Sequence, residues 1–234
     1  MIGTSWTHRL ARLLVRPLVG TWVTPNHLTT LRLVTGMLAC LALVPADAAW
    51  LWWAGWLWLA SALLDRADGE LARIGNMSTP GGHRYDYLVD NAVNSAFFVA
   101  LGLGLRESPW GGAAVALGLW TGAALFLSSY WAEELERLVG SGRKAYSGAF
   151  GFDFDDLLYL LAPIVWLGWS APLLMAGCFG VTFMMLLTGW RLWRLNGRRA
   201  TGWSARATTT VPGPAPHRVD RRARGRRQWS GPAG

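Results

Sequence analysis

Apolar residues run along this chain in long blocks broken by short polar segments, the pattern of a helix bundle that crosses a membrane rather than of a soluble domain. Windows at about residues 28–46, 49–73, 84–105, 111–132, 154–169 and 171–192 each read as a span, against the ~20 residues needed to cross hydrocarbon. The first ends at Pro45-Ala46-Asp47; the fifth is short and interrupted by Pro163. Residues 5–20 have a different pattern. Arg9, Arg12 and Arg16 share one helical face, while Trp6, Leu10, Leu13 and Leu14 fall on the rest, which predicts a helix lying on the membrane surface. The polar lead before the first long apolar run is about thirty residues, too long for the n-region of a signal peptide. The expected fold is all-α: a polytopic membrane helix bundle of six transmembrane helices with an N-terminal amphipathic surface helix. Three regions follow: 1–23 as the surface helix, 24–194 as the six-span domain, and 195–234 as a basic tail. That tail is rich in Gly, Pro, Arg and Thr without an apolar period, so it reads as disordered.

Composition supports the membrane reading. The chain of 234 residues is 52% hydrophobic with sixteen tryptophans and a mean hydropathy of +0.24. Trp50, Trp52, Trp53, Trp56 and Trp58 crowd the start of the second window, and Trp166 and Trp169 lie near the end of the fifth, as interfacial belts do. Cys40 and Cys178 sit inside apolar runs and read as small core or lipid-facing residues, with no disulfide framework and no zinc site. Positive charge concentrates at Arg191, Arg194, Arg198, Arg199, Arg206 and in the tail from Arg218 to Arg227. Anionic lipid is the expected partner of that tail, not nucleic acid. Lys and Arg placement puts both termini in the cytoplasm, because the outer loops then hold only Arg106.

One polar segment stands apart. Between Asp65 and Asp90 the chain spells D-x2-D-G-x2-A-R-x8-G-x3-D-x3-D. Carboxylates at membrane depth cost roughly 2.5–3.5 kcal/mol each on insertion scales, so an intramembrane ionisable group marks function by default. Asp65, Asp68, Gly69 and Ala72 share one helical face, as do Gly82, Asp86 and Asp90. The residues between them, Ile74 to Gly81, read as a turn. A helical hairpin therefore brings four carboxylates toward one mouth, and on this orientation the mouth is cytoplasmic. Hard divalent cations are the natural neutralisers, and two of them sharing carboxylates suit phosphate-ester or phosphoanhydride chemistry.

Asp65, Asp68, Gly69, Ala72, Arg73, Gly82, Asp86 and Asp90 match the signature of the CDP-alcohol phosphatidyltransferase family, which this chain resembles. The run Thr24-Pro25-Asn26-His27-Leu28-Thr29-Thr30-Leu31-Arg32 resembles the family's entry to its first membrane helix. The resemblance implies a six-helix membrane transferase, a homodimer, active in phospholipid biosynthesis. It would move a substituted phosphate from a CDP-alcohol donor, CDP-diacylglycerol first among them, to the hydroxyl of an acceptor alcohol and release CMP. It further implies that Asp65, Asp68, Asp86 and Asp90 ligate two divalent cations, Mg2+ or Mn2+, and that Asp90 is also the general base. Gly69, Ala72 and Gly82 would let cytidine approach the helices, and Arg73 would grip the diphosphate. The implied setting is the bacterial cytoplasmic (inner) membrane.

Other residues have two readings each. His83 and Arg84 at the hairpin mouth either contact a substrate phosphate or are solvated. Asn26 and Thr29 either bind nucleotide or cap the first span. Asp153, Asp155 and Asp156 either contact an acceptor or metal or cap a helix. Phosphorylated acceptors in the family commonly meet a cation just after the last aspartate, where this chain has Asn91; Arg84, Arg137, Arg143 or Lys144 would have to substitute. The competing functions are a metal-dependent CDP-alcohol hydrolase, a catalytically silent membrane scaffold, and a transporter using intramembrane aspartates. The clustering of the aspartates at one mouth argues against the last.

Overall fold

The computed structural model describes residues 6–139 and 154–207. Its helices are α1 (Trp6–Val15), α2 (Pro25–Leu43), α3 (Ala48–Ile74), α4 (Pro80–Gly104), α5 (Gly111–Val139), α6 (Leu161–Trp166) and α7 (Ser170–Ala207), with 3-10 turns at Arg16–Leu18 and Phe154–Leu160. The described residues contain no strand. Two units divide the chain after Arg194; the second, 195–234, holds the end of α7 among its described residues.

Helices fill all six predicted windows, but by length and composition three of them suffice to cross a membrane: Pro80–Gly104, Gly111–Leu138 and Ser170–Asn196. α2 and α3, continuous over 19 and 27 residues, fall outside that group because they carry the polar residues of the site. Pro163 leaves the fifth window as a 3-10 turn followed by the short α6, since proline removes a donor from the helical ladder.

Local chemistry fixes the boundaries. Asp47 caps α3, its carboxylate accepting from the Ala49 and Trp50 amides. α3 ends at Gly75, after which Asn76 takes a left-handed φ of 50° and the Met77 amide donates to the Ala72 carbonyl at 2.9 Å. α4 starts earlier than the turn reading of Ile74–Gly81 allows. Thr79 caps it through the Gly82 amide at 3.0 Å and Pro80 takes the first helical position, where its missing N–H costs nothing. The tail also departs from expectation. Residues 195–207, read as disordered, continue α7; Leu, Arg and Ala propagate a helix well, and no proline intervenes before Pro212. Residues 208–234, the rest of that region, lie outside the described residues, as do Arg143, Lys144 and Asp153.

The core lies among α2, α3, α4 and α6, with Ala39, Leu43, Trp58, Val93, Phe97 and Val165 at its centre. Trp58 belongs to it rather than to an interfacial belt: it stacks 4.3 Å from Phe97 and its indole donates to the Leu158 carbonyl. Trp50, Trp52, Trp53 and Trp56 are exposed, as a belt requires. Cys40 is buried and Cys178 half-buried, both as free thiols. Small residues bring helices together where the site needs it. A Cβ on Gly36 would lie 2.5 Å from Val93 and 2.8 Å from Ser61, so α2 touches α3 and α4 at one crossing.

Candidate active site between α2, α3 and α4

That crossing lies one helical turn from Arg32, and Arg32 is the centre of the site. Its side chain is only 2% exposed. Nη1 lies 2.6 Å from Asp65 Oδ1 and 3.6 Å from Asp86 Oδ1, and it ion-pairs with Asp90 Oδ1 as well. One guanidinium thus faces carboxylates from two other helices. Because arginine holds its charge at any working pH, Arg32 is a permanent counter-ion in a place where unpaired anions are costly.

The four predicted aspartates are brought together in two ways. Asp65, Asp68 and Asp86 offer oxygens that all lie within 4.8 Å of one another. Asp90 joins through Arg32 and is the more open, 39% exposed against 19% for Asp65. Asp68 is buried, and Thr29 donates to its Oδ2 at 2.7 Å. Thr29 is therefore no helix cap; Thr24 holds that position. Asp86 Oδ1 and Asp90 Oδ1 are buried atoms whose charge is met by Arg32 alone among the contacts described, without a well-formed hydrogen bond. Carboxylate oxygens at this spacing, with one guanidinium shared among three of the four acids, fit hard divalent cations.

Beside the carboxylates lies an open strip. A Cβ on Gly69 would meet only Arg73 Nη2, at 3.4 Å, so the strip is roofed by the Arg73 guanidinium. Arg73 Nε donates to the Gly69 carbonyl at 3.1 Å, and Nη1 lies 3.2 Å from Glu70 Oε1. At the start of α4, a Cβ on Gly82 would lie 3.0 Å from Thr79 Oγ1 and 3.2 Å from Asn26 Oδ1. Ala72 is half-buried on the same face of α3. Tyr85 and Thr30 share a hydrogen bond of 2.9 Å across α2 and α4.

Of the remaining candidates, His83 is near enough for its charge to act on Asp86; the others fall outside this group. His83 and Arg84 are exposed. Arg137 lies 2.5 Å from Glu133 and 3.8 Å from Glu134 on its own helix. Asp155 and Asp156 lie in the 3-10 turn before α6. Asn91 is buried and its amide donates to the Tyr87 carbonyl at 2.9 Å, so position 91 faces helix packing and not the mouth.

Sequence reasoning missed Glu70 and assigned Arg32 no role. Glu70 is 1% exposed and is held by His8 Nδ1 at 2.9 Å and Arg12 Nε at 3.1 Å, both from α1, besides Arg73. A buried Arg and a buried Glu within predicted helices were the available signal, since neither is ordinarily fully buried unless paired.

Comparison with known proteins points the same way as the geometry. The family model of CDP-alcohol phosphatidyltransferases matches residues 22–147, a stretch that contains every residue of the site. A bifunctional IPC transferase and DIPP synthase of Aquifex aeolicus (strain VF5) is 28% identical over 180 residues; the match covers 74% of this chain and 40% of that protein's length. The crystal structure of Mycobacterium tuberculosis phosphatidylinositol phosphate synthase with CDP-DAG bound superposes with a TM-score of 0.58 at 21% identity, covering 81% of this chain and 93% of that one. With its aspartate mouth, glycine strip and arginine roof inside the matched region, the chain belongs to the CDP-alcohol phosphatidyltransferase family.

Proposed function

We propose that this enzyme moves a substituted phosphate from a CDP-alcohol to the hydroxyl of an acceptor alcohol and releases CMP, at the membrane, in phospholipid biosynthesis. The observation that carries this reading is the convergence of Asp65, Asp68 and Asp86 within 4.8 Å beside the strip that Arg73 roofs. A hydrolase would share the metal site. Transfer is the better reading because the family is named for phosphatidyl transfer. CDP-diacylglycerol stands first as donor, since the mycobacterial neighbour binds CDP-DAG. Inositol phosphate is one acceptor to test for the same neighbour's name, although position 91 offers its phosphate no cation.

Asp65, Asp68, Asp86 and Asp90 would hold two divalent cations, Mg2+ or Mn2+. Bound there, such ions neutralise the diphosphate and the departing phosphate. The chain's own residues do the rest. Thr29 fixes one oxygen of Asp68. Gly69, Ala72 and Gly82 let the nucleotide lie against helix backbone, where a side chain would obstruct it. Arg73 presents fixed donors to the diphosphate, as guanidinium groups do for phosphate oxygens. Asp90 takes the proton of the acceptor hydroxyl. The oxygen then bonds to the β-phosphorus, the bond from that phosphorus to the bridging oxygen breaks, and CMP leaves with the bond's electron pair.

Both termini and the site face the cytoplasm of a bacterial inner membrane in this reading, and the working unit is a homodimer. The test is CMP release by purified protein in detergent, with CDP-diacylglycerol and Mg2+ or Mn2+, across inositol, inositol phosphate, glycerol phosphate and serine. Release that requires one acceptor and stops on chelation supports the proposal. Release without any acceptor points to the hydrolase, and none at all, while donor still binds, to another donor or a silent scaffold.

A further inference from the structure

Glu70 is the most enclosed acid beside the site, and the transfer chemistry gives it no task. It sits one residue past Gly69 on α3, and its carboxylate joins two structures. One oxygen accepts from α1 through Arg12, the other faces both His8 of α1 and Arg73 of α3. His8 in turn lies 2.9 Å from Arg66 Nη1. α1 itself is seated by Thr7, Ala11 and Val15, all buried, with Val15 packed against Ala67 and Leu71. Opposite that seat, Leu10, Leu13 and Leu14 are exposed.

The effect on Arg73 is geometric. Its guanidinium is 58% exposed on a long side chain and without these ties would be free to turn. Nε is taken by the Gly69 carbonyl and Nη1 by Glu70. These two ties set the plane of the fork and turn Nη2 over the Gly69 strip. A flexible arginine would lose rotamer freedom on gripping an anion; one already held loses less.

We propose that Glu70 is a positioning residue that holds the Arg73 guanidinium over the Gly69 strip and anchors it to α1, so that the N-terminal helix sets the grip on the donor diphosphate. This rests on the reading of Arg73 as the diphosphate ligand. Glu70 touches no substrate and acts through Arg73 alone.

The test is a double-mutant cycle on the full-length protein in nanodiscs, reading equilibrium binding of CDP-diacylglycerol with Mg2+ and no acceptor. Glu70→Gln is expected to weaken binding roughly tenfold, the scale on which a supporting hydrogen-bond partner acts on a ligand. It is expected to add nothing in an Arg73→Ala background. Glu70→Asp keeps the charge with less reach and is expected to fall between; it carries the test if Glu70→Gln does not fold. If the loss persists undiminished in Arg73→Ala, or if Glu70 variants lower only the melting temperature, the positioning role is overturned. If Arg73→Ala by itself binds donor normally, the reading of Arg73 fails instead.

Discussion

At the scale of single residues, Asp90 and Arg32 divide the work of the aspartate mouth. Asp90 is the most open of the carboxylates that Arg32 reaches, as a group that must meet an incoming hydroxyl has to be. Asp90→Asn is expected to cut CMP release at least ~100-fold, the lower range for a general base, with the protein still folded in detergent. Turnover near the parent rate would remove Asp90 from the mechanism. Arg32→Gln removes the counter-ion and leaves partly exposed carboxylates facing each other, a change that costs less than the roughly 3–5 kcal/mol lost when a fully buried pair is broken, because water screens the acids. Its melting temperature is expected to fall in chelator and to recover with Mn2+ by more than the parent gains. Equal gains would mean that Arg32 does not compensate these acids. Seven of the eight signature positions repeat at helical spacing, all but Arg73, and of them Asp65, Asp68 and Asp86 meet as that spacing implies. Arg32, Thr29 and Glu70 were not legible in the sequence: each has its role through a partner 33, 39 or 62 positions away, and such pairing is a property of helix packing.

At the scale of elements, the crossing at Gly36 decides whether the mouth forms. Val93 and Ser61 pack where a side chain on residue 36 would go, and one turn away Arg32 meets Asp90 and Asp65. Gly36→Leu is expected to force α2 and α4 apart and destabilise the protein by about 1–3 kcal/mol, as overpacking does. Gly112→Ala, in open space, is the control. A thermal shift in detergent separates them; equal melting temperatures would show that the crossing tolerates bulk. Helix windows were readable to within a few residues from the apolar blocks. Two ends were not. α4 begins at Pro80 because Thr79 caps it, a preference that competes with reading Thr-Pro-Gly-Gly as a turn. α7 outlasts its apolar block, since helix continuation needs propensity rather than burial.

At the scale of the whole molecule, the family match ends at residue 147, and every residue named in the site lies before it. A chain ending at Asn196 is therefore expected to keep its turnover, with at most weaker association to anionic vesicles. A dead truncation would give the basic end a part in catalysis. α3 links the remaining scales. It is one unbroken helix that carries exposed tryptophans at its start and Asp65 and Asp68 near its end. Trp50 and Asp65 are 15 residues apart, hence about 22 Å at the helical rise. If that aromatic end sits at one head-group layer, the rod would act as a gauge: a thin bilayer would lift the aspartates into water and a thick one would draw them toward acyl chains. CMP release in vesicles of graded acyl-chain length is then expected to pass through an optimum; a flat profile would mean that α3 does not set the depth of the aspartates.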